Sequence, residues 1–368
     1  MSVVEQVVTK KGQKVVPKTM RAAVYRGVND VRVETVPVPE IGAGEVLVRI
    51  DTCGICGTDL KKIHTGSHSA PRIFGHEMAG TVAAVGEGVT EFAVGDRVMA
   101  FHHIPCGHCY YCRKKTFAQC EVYKRVGCTA GFEPAGGGFA EYIRVMDWIV
   151  ERGLVRLPDD VPFEQASFIE PVNTCLKAIE NLNLAADETV LVIGQGPIGI
   201  LLAALAKRSG ANVLSSDLYP QRHAVAAKFG LDKPIHAAEE DVVARVKAAS
   251  EGRGADAVVL AVGGNALIKT AMDAARPGGR VLLFAQTQHG EVVIDPAAVC
   301  MEEKALVGSY SSSVAIQDEG VQLVFDGYRN GFDLTQLISH RFSLEDAAEA
   351  IALASNPQAD SMKIVLQP

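Results

Sequence analysis

Cys106, Cys109, Cys112 and Cys120 are spaced C-x2-C-x2-C-x7-C. Thiolates two residues apart can converge on one tetrahedral ion. Four sulfurs leave no open position, so the spacing reads as a structural zinc site. Iron–sulfur clusters also take four thiolates, but at other spacings. His102, His103 and His108 stand close by and read as ordinary polar residues, because sulfur already fills the shell. Upstream lie C-G-I-C-G-T-D (53–59) and G-H-E (75–77). A catalytic zinc takes about three protein ligands and keeps one position open. Cys56 and His76 could supply sulfur and nitrogen, and Glu77 or the distant Glu170, in I-E-P-V-N-T, a carboxylate. Spacing alone does not decide between Cys53 and Cys56.

A second kind of chemistry is written in V-L-V-I-G-Q-G-P-I-G, where Gly194, Gly196 and Gly199 form G-x-G-x-x-G. The pattern follows a short apolar run and opens a helical one, the context a dinucleotide loop requires. Gly194 permits the tight turn, Gly196 lets backbone approach a pyrophosphate, and Gly199 allows close helix–strand packing. Pro197 and Ile198 belong to the same turn, whose helix N-terminus favours phosphate charge. Asp217 ends the next apolar run, where a carboxylate can accept the adenosine ribose hydroxyls. Its charge would repel a 2′-phosphate, which favours NAD over NADP; Arg222, five residues on, weighs the other way.

The elements that must position these groups fall into two kinds. Residues 20–150 alternate apolar and polar positions, as at Val46, Val48 and Ile50, with recurrent glycine turns, and read as a barrel or sandwich. From about 172, short apolar strands alternate with helices, which reads as a doubly wound parallel sheet. After Ser309 the alternation stops. One helix is expected near 344–354 and a last strand at 363–366. Residues 1–19 read as an N-terminal extension.

The 368 residues suit two domains. A formal charge of 36 − 43 = −7 argues against nucleic acid as a partner. No apolar run is long enough to cross a membrane. Nine clustered cysteines and a polar N-terminus fit a cytoplasmic metalloprotein better than a secreted disulfide framework.

Together, residues 20–368 resemble the zinc-dependent medium-chain alcohol and polyol dehydrogenases, nearest the sorbitol and threonine dehydrogenase branch. G-H-E-M-A-G, V-G-E-G-V, G-D-R-V and G-G-F-A-E-Y add to the likeness. The resemblance implies an α/β protein. A GroES-like β-barrel catalytic domain (1–172 and 311–368, with the cysteine lobe at about 104–122) would enclose a Rossmann domain (173–310). It implies two zinc ions per chain and NAD. It makes Cys56 and His76 ligands, excludes Cys53, and leaves Glu77 and Glu170 both as candidates for the third. Thr58 would take the proton of a secondary alcohol while its hydride goes to nicotinamide. Where many members carry a relay histidine this chain has Lys61, with His64 one turn further on. Val262 and Phe284 to Gln286 would lie along the nicotinamide, and Lys363 would reach the pyrophosphate. Relatives form dimers or tetramers through the segment matching 305–310. Rival readings are a zinc- and dinucleotide-binding protein without activity and an NADP-dependent carbonyl reductase of the same superfamily.

Overall fold

The structure, a computed structural model, describes residues 16–132, 136–285 and 290–368. Two β systems share one apolar core. The first is an eight-stranded, mainly antiparallel sheet ordered Ile338–Ser343, Lys363–Gln367, Val46–Gly54, Glu77–Val85, Arg97–Ala100 and Leu154–Arg156. The short strands Cys128–Thr129 and Tyr142–Val145 join it alongside Val46–Gly54. The strand Val46–Gly54 is packed in the core, with Val46, Leu47, Val48 and Ile50 all buried and only Arg49 exposed among residues 46–50, so the expected alternation is incomplete there. A three-stranded sheet (Asp30–Pro37, Thr19–Gly27, Arg72–Ile73) flanks it.

The second system is a six-stranded parallel sheet. Its order is Pro234–His236, Asn212–Asp217, Thr189–Ile193, Ala255–Leu260, Ala275–Leu283, Ala305–Gly308. Numbered along the chain this is 3-2-1-4-5-6, and the order reverses between Thr189–Ile193 and Ala255–Leu260. Ligands of open α/β sheets bind at such a reversal, outside the carboxyl ends of the strands.

Two helices differ from the sequence expectation. Ile169–Leu182 is one continuous helix, so the expected boundary at 172/173 falls inside it. The stretch after 309 carries a second helix, Gln317–Arg329, besides that near the C-terminus. Its glycines argue against a helix by propensity. They are there for packing: a Cβ on Gly327 would lie 3.2 Å from Phe332, and one on Gly320 3.4 Å from Asn173. The helix is tied to the barrel by buried Gln165, whose amide donates to Val324 O (3.1 Å) and accepts from Leu334 N (2.8 Å). Among the described residues no helix is long and apolar enough to cross a membrane.

Candidate active site

Three adjacent strands bring the catalytic corner together. Gly54 pairs with Glu77 on one side and Val365 on the other. The chain then turns at Cys56, which caps the helix Gly57–Thr65. Asp59, in the first turn of that helix, is fully buried. Its Oδ2 accepts the Cys56 amide (3.2 Å), and its Oδ1 meets His76 Nδ1 at 3.1 Å. Such a carboxylate fixes the ring and leaves Nε2 for a metal. Burial opposes the Asp59 charge, but His76 and Lys62 hold its pKa below the usual value. Gly75 adopts φ +95, and a Cβ there would lie 2.5 Å from Phe139. Glycine is therefore required for the turn that delivers His76 and Glu77 to the site.

Ligand atoms of Cys56, His76 and Glu77 lie within 4.8 Å of one another. One sulfur, one imidazole and one carboxylate form a donor set suited to zinc. Glu170 stands outside that group but lines the same cavity. Burial raises its pKa to about 7, His76 pulls it down and Glu77 pushes it further up. Thr174 donates to it at 3.3 Å. Cys53 is buried in the barrel core.

Lys363 requires a correction. Instead of reaching for a pyrophosphate, its buried ammonium is ion-paired with Glu77 and donates to Ile55 O at 3.1 Å. The cause is the pairing of its strand with Val46–Gly54. Gly54 makes room for the pair, since a Cβ there would lie 2.7 Å from Lys363 Cε. Burial opposes the lysine charge, but Glu77 and Cys56 raise its pKa overall.

The cavity holds about 570 Å³ and spans both β systems. Cys56, Thr58, Lys61, His64, His76, Glu77 and Glu170 line one part; Ile198, Ala261, Phe284 and Ala285 line another. His64 has both ring nitrogens engaged, by Asn29 (2.5 Å) and Ser355 (2.8 Å). His102 and His103, read from sequence as ordinary polar residues, are buried in the wall of this cavity. They follow the strand Arg97–Ala100, which carries the chain into the cavity wall just before them.

The four lobe cysteines also converge, with sulfurs within 4.8 Å. Cys106–Cys112 and Cys109–Cys112 are 3.9 and 3.6 Å apart. At a Zn–S length of about 2.3 Å, a tetrahedron has edges of about 3.8 Å. The amides of Cys109 and Cys106 donate to the sulfurs of Cys106 and Cys120, each at 3.3 Å. These bonds favour thiolates, and all nine cysteines are free of disulfides.

At the glycine loop, a Cβ on Gly199 would lie 1.8 Å from Gly194 O, so glycine is obligatory there. Gly194 itself has φ +97. Gly196 caps the helix Pro197–Arg208, and a Cβ there would meet no protein atom within 4 Å. That open space beside a helix N-terminus is where a phosphate can approach the backbone. Asp217 ends its strand, receiving the Gln195 amide (2.7 Å) and the Tyr219 amide (3.0 Å), with Arg222 3.5 Å away. Around it, Gln195 Nε2, Ser216 Oγ, Arg222 Nε and His223 Nε2 are buried without hydrogen-bond partners. Such atoms suit the polar edge of an adenosine. Val262 flanks Gly194; Gln286 lies outside the described residues.

Residues 42–159 match the alcohol dehydrogenase GroES-like domain, and 197–326 the zinc-binding dehydrogenase domain. L-Threonine 3-dehydrogenase of Symbiobacterium thermophilum is 34% identical over 91% of this chain and 93% of its own. Sorbitol dehydrogenase of Bombyx mori is 32% identical over 94% and 97%. The chain belongs to the zinc-dependent alcohol dehydrogenase family. It is accordingly an oxidoreductase of alcohols and polyols. A zinc-binding dehydrogenase of Sinorhizobium meliloti 1021, solved bound to NADP, superposes with a TM-score of 0.84 at 29% identity, covering 96% of this chain and 100% of that one.

Gly196 generates a prediction. Gly196→Ala should leave the melting temperature of the unliganded protein nearly unchanged, because its Cβ meets open space. It should weaken dinucleotide binding about tenfold or more, read by titration of reduced-cofactor fluorescence. Unchanged affinity would remove the loop from the cofactor site.

Proposed function

We propose that the chain oxidises a secondary alcohol within a polyol, sugar, cyclitol or amino alcohol, reversibly, with NAD. The observation carrying this reading is the single cavity that joins the Cys56, His76 and Glu77 donors to the wall beside the glycine loop. Bound there, zinc would acidify a hydroxyl and the dinucleotide would accept a hydride. The chain's own groups do the rest. Asp59 orients His76, Lys363 holds Glu77, and Thr58 lies in the cavity to take the hydroxyl proton. Lys61 is our candidate for the next proton carrier, since His64 is held between Asn29 and Ser355. Glu170 is the reserve carboxylate beside the metal. Val262, Phe284 and Gln286 are assigned to the nicotinamide side.

The same reading gives two zinc ions per chain, at Cys56/His76/Glu77 and at Cys106/Cys109/Cys112/Cys120. It divides the chain into a barrel part (1–172 and 311–368) and a nucleotide part (173–310). Pairing of copies to a dimer or tetramer is assigned to the edge strand Ala305–Gly308, where Leu306 and nearby Tyr310 and Met301 are exposed. The free thiols favour a reducing compartment, the cytoplasm.

Three measurements test these assignments. Elemental analysis of Cys56→Ala should find one zinc per folded chain against two in the parent; two in the variant would sink Cys56 as a ligand. Thr58→Val removes a hydroxyl while keeping shape, and should cut turnover roughly 10²–10⁴-fold, with Thr58→Ser near the parent. Full turnover in the valine variant would refute this proton route. For the cofactor, the Asp217 carboxylate at the end of its strand would repel a 2′-phosphate, which supports NAD here even though the Sinorhizobium relative was solved with NADP. Asp217→Ser should raise kcat/KM with NADP relative to NAD; a parent that already prefers NADP would overturn the assignment.

A further inference from the structure

His102 and His103 are each 7% exposed, yet three of their ring nitrogens lack any hydrogen-bond partner: His102 Nδ1, His103 Nδ1 and His103 Nε2. A buried polar atom left unpaired costs free energy, so it calls for a ligand or water partner. Both rings line the catalytic cavity. They run in series away from the metal donors. The ring centroid of His76 is 4.8 Å from that of His102, which is 3.7 Å from that of His103.

The series is braced from outside the cavity. His103 meets Tyr123 edge-on with centroids 3.6 Å apart. The Tyr123 ring packs with Cys106, Cys112 and Cys120, and its hydroxyl lies 3.2 Å from Ser311 Oγ and 3.0 Å from Ser312 Oγ. The backbone is pinned as well, His102 O accepting the Cys128 amide at 3.1 Å. The cysteine lobe thus holds His103 in place. A rigid ring with open nitrogens is a recognition element, because no side-chain freedom is lost on binding.

Burial disfavours the charged form of the His103 ring, so it stands as a neutral imidazole in the cavity wall. A neutral imidazole offers one N–H donor and one nitrogen acceptor. That pattern complements a hydroxyl, which both donates and accepts. We propose that His102 and His103 form a hydroxyl-recognition wall that binds the hydroxyls on carbons next to the one oxidised, selecting vicinal polyols over monofunctional alcohols. This rests on the reading of the Cys56/His76/Glu77 corner as the place where the reacting hydroxyl sits. A site built to hydrogen-bond a substrate hydroxyl rejects the analogue that lacks it, since its own polar atoms are then left unpaired.

The test compares 2,3-butanediol with 2-butanol, which differ by one vicinal hydroxyl. His103→Phe keeps a ring against Tyr123 and removes both nitrogens; His103→Asn returns a donor and an acceptor. With zinc-loaded enzyme and NAD, the parent should favour the diol. His103→Phe should lose about tenfold or more in kcat/KM on the diol, chiefly through KM, with 2-butanol within about twofold. His103→Asn should recover part of the loss. Calorimetric titration of the diol into the enzyme with reduced cofactor, which does not turn over the diol, should show the same weakening. Zinc content and melting temperature check that each variant is folded. Equal losses on both alcohols, no loss on the diol, or a parent indifferent to the second hydroxyl would overturn the proposal. Should the parent oxidise neither alcohol, the reading of the substrate class fails, and diol affinities by calorimetry still decide the role of the histidines.

Discussion

The strand Val46–Gly54 is clasped between Glu77–Val85 and Lys363–Gln367, and the register of these three strands sets the active corner. It puts Gly54 opposite Glu77, lays Lys363 beside both, and aims the chain so that Cys56 begins a helix at the same spot. A slip of one residue would send each of these side chains to the opposite face. Lys363 and Ile55 are 308 positions apart in sequence yet joined by a hydrogen bond. The corner is therefore complete only once the last strand has joined the sheet, a strongly non-local closure.

Charge explains why that closure is so tightly specified. Asp59, Glu77, Glu170 and Lys363 are all buried within one region. Buried ions are tolerated when paired, and removing one partner strands the other. Lys363 answers Glu77, while Asp59 is held by the His76 ring and the Cys56 amide. Among the described residues Glu170 makes no ion pair, only the hydrogen bond from the Thr174 hydroxyl, and burial raises its pKa. The two carboxylates that sequence left equivalent are thus distinct in kind: Glu77 is paired with a buried lysine, whereas burial raises the pKa of Glu170 to about 7.

Local patterns were readable and distant neighbours were not. The cysteine lobe announces itself because all four sulfurs lie within fifteen residues. The glycine loop does so because Gly199 is forced by contact with Gly194 in the same turn. Lys363 was misplaced because its partner is a strand neighbour hundreds of residues away. His102 and His103 were set aside because the sulfurs beside them offered a sufficient account, whereas burial and missing partners exist only in three dimensions. The helix Gln317–Arg329 was missed because Gly320 and Gly327 lower its propensity, and the contacts with Asn173 and Phe332 that justify them lie elsewhere.

The helix Ile169–Leu182 begins in the wall of the cavity, at Glu170 and Thr174, and continues as a packing partner of Pro197–Arg208, the helix that opens at the glycine loop. Cys56, His76 and Glu77 ride on the barrel instead. The helix that carries Glu170 is thus fastened to both halves, packing on Pro197–Arg208 on one side and on Gln317–Arg329 on the other, with Asn173 bonded to Ser313. One rigid rod therefore fixes the carboxylate in the cavity wall and the seating of the glycine-loop helix at the same time.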